Sequence, residues 1–180
     1  MPRAALTLSL LLLGLAGCGP ADPLDRKIDA ESPTALAIWH RNQARAFSPL
    51  ELQRFDRAQK ELQWFVVTEW QGLDPQAQQA KWRDHVHRVT VRQFIIQGHQ
   101  FANLRLEREL ADQRRLLLLH DQLLLRPSTG VDDYQRLRHT MLRIGQQIDD
   151  LTAEIAANDA VIAALGGATP ATVPRAKRHD

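Results

Sequence analysis

Seven histidines and several adjacent acidic pairs are the side chains here whose types could bind a metal or transfer protons. His85 and His87 are the closest histidines, but residues two apart on a helix point about 200° away from each other. No histidine follows another at the three- or four-residue spacing of helical metal sites. The acidic pairs at 132–133 and 149–150 would diverge on a helix in the same way, and no Gly-rich phosphate loop or Gly-x-Ser-x-Gly elbow is present. We therefore predict a protein that is not an enzyme and has no catalytic, cofactor or metal site.

The only cysteine, Cys18, follows an apolar run from Leu6 to Ala16. This run is shorter than the ~20 apolar residues that span a bilayer, and it is typical of the hydrophobic region of a secretory signal. The sequence Leu15-Ala16-Gly17-Cys18 resembles the lipobox of bacterial lipoproteins. The resemblance implies a signal peptide at 1–17, cleavage before Cys18, a thioether-linked diacylglycerol on its sulfur, and a fatty acyl chain such as palmitate on its new amino group.

Such an anchor would decide where the protein lies. One acyl chain binds a membrane marginally, whereas several on one residue hold it firmly. Gly19 rather than Asp follows Cys18, and the family's sorting habit in enteric bacteria then implies the outer membrane, with the protein facing the periplasm. The formal net charge is only +2, so we expect no nucleic acid partner. The expected partners are the membrane, through Cys18, and another protein or a second copy.

The rest of the chain predicts helices. Residues 18–31 contain glycine and proline and are predicted to be a tether. Helix starts follow at Ser32-Pro33, at the Ser48–Glu51 capping box and at Asp74-Pro75, which defines a short-helix region over 32–88. No segment alternates with period two, so no β-sheet is expected.

The chain near residue 88 allows two interpretations. Thr90 to Gln93 forms a further capping-box pattern, which predicts a break near Arg88 and a new helix from Val91. The alternative is one unbroken helix from Pro75 to Leu125. We favour the break, because so long a helix without packing along its whole length would be unusual.

The second half predicts an antiparallel helical hairpin over 89–166. Apolar residues alternate at three- and four-residue spacing for more than four heptads, with one polar position at Asn158. The seam consists of Tyr134, Leu137, Met141, Ile144, Ile148, Leu151, Ile155, Asn158, Ile162 and Leu165. A comparable stripe lies upstream of a Pro- and Gly-containing turn at 126–130. Arms of about 35 residues would be roughly 50 Å long. Residues 167–180 are predicted to be a disordered basic tail.

Closing the hairpin at this turn sets the pairing between its arms. His99 then lies opposite Asn158, where the two either form a buried layer that fixes the register or both face solvent. Arg108 falls near Asp149 and Asp150. His120 could approach His139, which would make a weak zinc or copper site or leave two solvated side chains.

Four tryptophans lie in the short-helix region: Trp39, Trp64, Trp70 and Trp82. Core packing is the favoured interpretation, and an exposed platform for stacking sugars or peptides is the alternative.

The helix start Phe47-Ser48-Pro49-Leu50-Glu51 is similar to the Leu-Thr-x-x-Gln starts of periplasmic CpxP/Spy-like stress chaperones and metal-resistance proteins, with Glu51 in place of Gln. The chain also resembles small helical bacterial lipoproteins of no assigned activity. We therefore expect an all-α fold in which short N-terminal helices pack on a long antiparallel coiled-coil hairpin. The expected function is that of a membrane-anchored, periplasm-facing lipoprotein with a structural or adaptor role. The alternative is a CpxP/Spy-like chaperone or metal-responsive protein.

Overall fold

The structure, a computed structural model, describes residues 22–43, 45–125 and 130–168. The predicted signal peptide, Cys18 and most of the predicted tail lie outside these ranges. A 3-10 turn at Pro23–Asp25 precedes five helices: α1 Pro33–Gln43, α2 Pro49–Glu69, α3 Pro75–Val86, α4 Val91–Leu124 and α5 Val131–Ala164. The all-α prediction is confirmed. Within the described ranges the only extended pairing is one isolated antiparallel bridge between Lys27 and Thr90.

The long helices α4 and α5 pack against each other as the two arms of a hairpin. Each has 34 residues and is therefore about 50 Å long. Gly130 precedes the first turn of α5, and Asp132 and Asp133 lie in that turn, where the positive end of the helix dipole favours acidic side chains. Residues 126–129 of the predicted turn lie outside the described ranges.

The break near residue 88 is real. Helix α3 ends at Val86, and Arg88 adopts a φ of 65°, a left-handed conformation that a helix cannot continue. The Thr90 hydroxyl then accepts from the Gln93 backbone N–H, and the Gln93 side chain accepts from the Thr90 N–H. This capping box starts α4 in a new direction, so the unbroken-helix alternative is wrong.

The predicted tether at 18–31 is wrong from Asp22 onward, because this segment belongs to the fold. Leu24, Ile28 and Ala30 are buried in the hydrophobic core. The Ile28 N–H donates to the Val89 carbonyl oxygen at 2.8 Å, and the Arg88 N–H donates to the Ile28 carbonyl oxygen at 2.9 Å. The strained residue at the helix break is thus held by the N-terminal segment, and no local periodicity indicates such a pairing.

A salt bridge fixes the beginning of this segment to the start of α4. The Arg92 guanidinium contacts the carboxylates of Asp22 at 2.6 Å and Asp25 at 2.9 Å. Charge-assisted hydrogen bonds of this kind are stronger than neutral ones. The first described residue therefore lies at the base of the hairpin, beside the N-terminus of α4.

Helix α2 lies along α4 and runs parallel to it. Ala58 approaches Gly98 so closely that a Cβ built on the glycine would lie 2.3 Å from the Ala58 Cα. On either side of this crossing, Phe55 contacts Phe94 with ring centroids 4.8 Å apart, and Phe65 stacks on Phe101 at 3.9 Å. The absence of a side chain at residue 98 is what lets these aromatic pairs meet.

The far end of α5 is capped. Leu165 is buried, Gly166 adopts a left-handed φ of 78°, and the Gly167 N–H donates to the Ile162 carbonyl oxygen at 2.9 Å. The Ala168 carbonyl oxygen accepts from the Gln100 side chain. The predicted disordered tail, which began at residue 167, is therefore wrong for Gly167 and Ala168.

The tryptophans divide between the core and the surface. Trp39 and Trp82 are buried, and the Trp39 indole N–H donates to the Lys27 carbonyl oxygen at 2.9 Å. Trp70 is half-buried, with the Lys81 ammonium 4.3 Å from its ring centroid, and Trp64 is exposed. Core packing is confirmed for Trp39 and Trp82, and the four tryptophans form no shared exposed platform.

Candidate functional site

The hairpin contains a buried polar layer where its two arms meet near the base. The His99 Nδ1–H donates to Asn158 Oδ1 at 2.9 Å, and Asn158 Nδ2 donates to Asn103 Oδ1 at 2.8 Å. Asn103 Nδ2 then donates to the Asp159 carboxylate at 2.7 Å. The predicted pairing of His99 with Asn158 is confirmed as a buried layer, and the solvent-facing alternative is wrong.

The surroundings of His99 favour its neutral form. Burial lowers the pKa of the imidazole, and the positive charges of Arg57 and Arg54 lower it further, while the hydrogen bond to Asn158 opposes this. Its Nε2 is buried and has no hydrogen-bond partner among the described residues. Each amide of the layer is oriented by the next, so a shifted register of α4 against α5 would leave buried polar groups unpaired. The layer is therefore a register-fixing element.

Ion pairs attach α2 to both arms of the hairpin. The Arg105 guanidinium makes two hydrogen bonds to Glu61, at 2.8 and 3.1 Å, and Arg57 contacts Glu154 on α5 at 2.5 Å. Arg108 contacts Glu69 at 3.1 Å. The predicted placement of Arg108 near Asp149 and Asp150 leads to no ion pair with either aspartate, because Glu69, in the last turn of α2, is the partner that binds this guanidinium.

The face of α4 that α2 covers continues beyond the end of α2. Eighteen residues make five full turns at about 3.6 residues per turn, so a residue lies directly above the one eighteen positions before it. Leu116 therefore lies in line with Gly98, and Leu119 in line with Phe101. Since α2 ends at Glu69, beside Arg108, no described element covers these two leucines, and they are 42% and 48% exposed.

The hairpin therefore has two halves. The proximal half comprises α4 up to Leu110 and α5 from Ile144. The distal half comprises residues 111–125 and 130–143. In the distal half none of the described residues is fully buried. Large apolar side chains are exposed there: Leu116, Leu118, Leu119, Leu125, Val131, Tyr134 and Leu142.

Charges of both signs accompany these apolar side chains. Asp112 and Arg115 lie beside Leu116 on α4, and Arg136 and Arg143 lie on α5. Within the described ranges no residue of the distal half forms an ion pair. Exposed leucines with unpaired charges of both signs are typical of a surface that meets another protein.

The histidines predicted as a weak metal site lie in this distal half. His120 Nδ1 donates to the Leu116 carbonyl oxygen at 2.8 Å, an ordinary contact within one helix. No described group of three or more His, Cys, Asp or Glu side chains is placed to hold a metal ion. The approach of His120 to His139 stays a prediction.

No known protein family, curated protein or solved structure matches this chain. In the described part of the chain, no helix is long and apolar enough to cross a membrane.

The heptad pattern of the sequence indicated the seam between α4 and α5 but not the uncovered face. Leu116, Leu119 and Leu123 repeat at three- and four-residue spacing outside that seam, and this is the signal that could have indicated a second apolar stripe.

Proposed function

We propose that this protein is a lipid-anchored adaptor of the cell envelope, held at a membrane by Cys18 and docking through the distal half of its hairpin. The observation that supports it most is the apolar face of α4, which α2 covers as far as Arg108 and which then continues uncovered through Leu116 and Leu119. The membrane we propose is the outer membrane, with the folded part in the periplasm.

The position of the N-terminal segment supports this arrangement. Asp22 is bound to Arg92 at the base of the hairpin. Cys18 precedes Asp22 by four residues, which span at most roughly 14 Å of extended chain. The distal end of the hairpin lies about 50 Å from that base. A membrane-bound Cys18 would therefore hold the base close to the lipid, with the hairpin lying along the membrane surface.

We propose a second copy of this chain as the docking partner. The distal half carries unpaired charges of both signs, as a self-complementary surface requires. In a two-fold contact centred between Leu116 and Leu119, the α4 helices of the two copies would run antiparallel. Asp112 of one copy would then lie roughly level with Arg136 of the other. The two hairpins would then form a four-helix bundle at their distal ends, and each α4 would cover the leucines that α2 leaves exposed.

The anchor is tested by changing its attachment point. Full-length chain expressed in a bacterium that processes lipoproteins should incorporate labelled palmitate and sediment with the membranes. The Cys18→Ala variant should lose the label. An unlabelled wild-type chain would contradict the proposed anchor.

The docking face is tested by a crosslink that exploits the lone cysteine. Once Cys18 is acylated, an engineered cysteine is the only thiol. Leu119→Cys places it on the uncovered face, whereas Leu118→Cys places an even more exposed thiol about 100° around the helix. We expect a short bismaleimide to give a dimer of twice the chain mass in intact cells from Leu119→Cys and far less from Leu118→Cys.

Two other results would change the proposal. A crosslink from Leu119→Cys to a protein of a different mass would keep the adaptor role and exclude the second copy as the principal partner. Equal crosslinking from both positions, or none from either, would contradict the docking face.

A periplasmic holdase is the second candidate function. The observation that favours it is the number of exposed leucines in the distal half, among them Leu118 and Leu142, each 65% exposed. A holdase would suppress the aggregation of an unfolded client protein, and Leu118→Ser would weaken that activity as much as Leu119→Ser. An adaptor with one docking face would show no suppression.

A further inference from the structure

The short helices enclose a cleft that the docking face does not use. It lies between α1, α2 and α3 and has a volume of about 980 Å³. Ile28, Phe55, Val86 and Phe94 form its floor, and all four are buried side chains of the hydrophobic core. The cleft therefore opens directly onto the core.

The two walls of the cleft, α1 and α3, are each attached to a neighbouring segment by a side-chain hydrogen bond. Helix α1 is fixed by the Trp39 indole, which donates to the Lys27 carbonyl oxygen. Helix α3 is capped at its start by Asp74 and is attached to the end of α2 through Gln78, whose side chain donates to the Trp70 carbonyl oxygen at 3.0 Å. The facing side chains of α2 include the polar Gln59 and Gln63.

The charge of the lining is one-sided. Arg41 of α1 and Arg83 of α3 line the cleft, and neither forms an ion pair with a described residue. His40 also lines it and lies 3.8 Å from the Asp56 carboxylate, outside the lining. None of the described lining residues is an Asp or a Glu. A negatively charged group at the mouth would therefore meet cations on two walls, whereas a cation would meet repulsion.

From this combination we propose that the cleft binds a single-chain amphiphile, an acyl chain that ends in an anionic head group. The apolar floor would take the chain, because apolar pockets of about 300–1,000 Å³ with a few polar groups are usual ligand sites. Arg41 and Arg83 would bind the head group, and a guanidinium pairs well with either a carboxylate or a phosphate. The glutamines would supply neutral hydrogen bonds at the rim.

The proposal is tested by titrating amphiphiles that share one chain and differ in the head group. The protein is the acyl-free mature chain, residues 18–180 with Cys18→Ser, which lacks the apolar run 6–16 and so needs no detergent, and binding is measured by calorimetry. Dodecanoate should bind at one site per chain and at least tenfold more tightly than dodecanol, while dodecyltrimethylammonium should not bind. Dodecyl phosphate shows whether the site prefers phosphate to carboxylate, and saturable binding of either anion supports the proposal.

Variants separate the head-group site from the chain site. The double variant Arg41→Gln and Arg83→Gln should lose at least tenfold in dodecanoate affinity and leave dodecanol binding unchanged. Ala37→Trp places a large side chain in the lining and should abolish both, whereas the matched Ala111→Trp on the distal half of α4 should change neither. Val67→Trp serves the same purpose from α2 if Ala37→Trp does not fold.

Several results would overturn the proposal. They are equal affinity for dodecanoate and dodecanol, tighter binding of the cationic amphiphile, or dodecanoate binding that persists in a folded Ala37→Trp or Val67→Trp variant. None of them bears on the docking face, because Ala37, Arg41, Val67 and Arg83 lie on the short helices and Leu119 lies in the distal half of the hairpin.

Discussion

The two halves of the hairpin belong to the same pair of helices and differ in burial, in their cover by α2 and in ion pairing. The proximal half is covered by α2, contains the His99 layer and is attached by the ion pairs of Arg57, Arg105 and Arg108. The distal half has no fully buried side chain among its described residues and exposes leucines on α4. One helix thus carries a folded core at one end and an unpartnered surface at the other.

This difference shows that the cover by α2, and not the helix itself, sets how much of the apolar surface of α4 is buried. An antiparallel pair of helices buries only the seam between them, and a third helix is needed to bury the adjacent stripe. Where α2 ends, the stripe continues in the same register through Leu116 and Leu119, with Asp112 and Arg115 beside them. An apolar stripe in that position is expected where another helix takes the place of α2.

The largest expected difference between the halves comes from one leucine in each. Leu106 is 2% exposed and Leu118 is 65% exposed, and both lie on α4. Leu106→Ala should lower the free energy of unfolding by roughly 2–5 kcal/mol, because it leaves a cavity in the core. Leu118→Ala should change it by less than about 0.5 kcal/mol. Urea denaturation of both variants measures the two values, and similar losses would erase the distinction between the halves.

Two glycines provide the next comparison. Gly98→Ala puts a methyl group 2.3 Å from Ala58 and forces α2 away from α4, so we expect a loss of about 1–3 kcal/mol. Gly145→Ala meets no atom within 4 Å and should stabilise its helix by roughly 0.5–1 kcal/mol. Thermal unfolding should therefore move in opposite directions for the same substitution. A neutral Gly98→Ala would show that the close crossing of α2 and α4 is not needed.

The proximal half should respond to pH through His99. Since the folded state lowers the pKa of this imidazole, the unfolded chain takes up a proton first as the pH falls below about 6.5. Stability is therefore lost below that pH, at up to about 1.4 kcal/mol per pH unit, until His99 itself is protonated in the fold. The His99→Gln variant should lack this component between pH 7.5 and 5.5.

The control for the pH effect is the exposed His139 of the distal half. His139→Gln should keep the wild-type dependence of unfolding on pH. If His99→Gln also keeps it, the neutral buried imidazole is not the group responsible.

The smallest expected effect concerns the backbone at the start of α4. Arg88 adopts a left-handed φ, which a glycine adopts without strain, so Arg88→Gly should stabilise the protein by about 0.5–1 kcal/mol. Arg114→Gly, inside the helix in the distal half, should instead destabilise it by about 1 kcal/mol. Chemical denaturation distinguishes the signs, and a loss in Arg88→Gly would mean that the arginine side chain contributes more than the strain costs.

Much of this fold was predictable, because local patterns determine it. The caps at Ser48, Asp74 and Thr90 gave the correct helix starts, and the heptads gave the pairing of His99 with Asn158. The docking of residues 22–30 was missed, since it depends on backbone hydrogen bonds to residues far away in the chain. The partner of Arg108 was missed for a related reason: the sequence does not indicate that α2 lies along α4.

The candidate surfaces were less predictable than the fold. Whether Leu119 is buried depends on where α2 ends relative to α4, and this follows from the Gly98–Ala58 crossing rather than from residues near Leu119. The cleft depends on the separation of α1 from α3, which no single segment encodes. Both surfaces are tertiary features.

The most direct test of the docking face is the oligomeric state of the acyl-free mature chain, residues 18–180 with Cys18→Ser, measured by sedimentation equilibrium. We expect a concentration-dependent dimer that Leu119→Glu converts to a monomer, since a buried charge would be placed at the centre of the contact. We expect that Leu118→Glu, one residue away and about 100° around the helix, remains a dimer. A monomer at every concentration, or equal behaviour of the two variants, would contradict the proposal that this face binds a second copy.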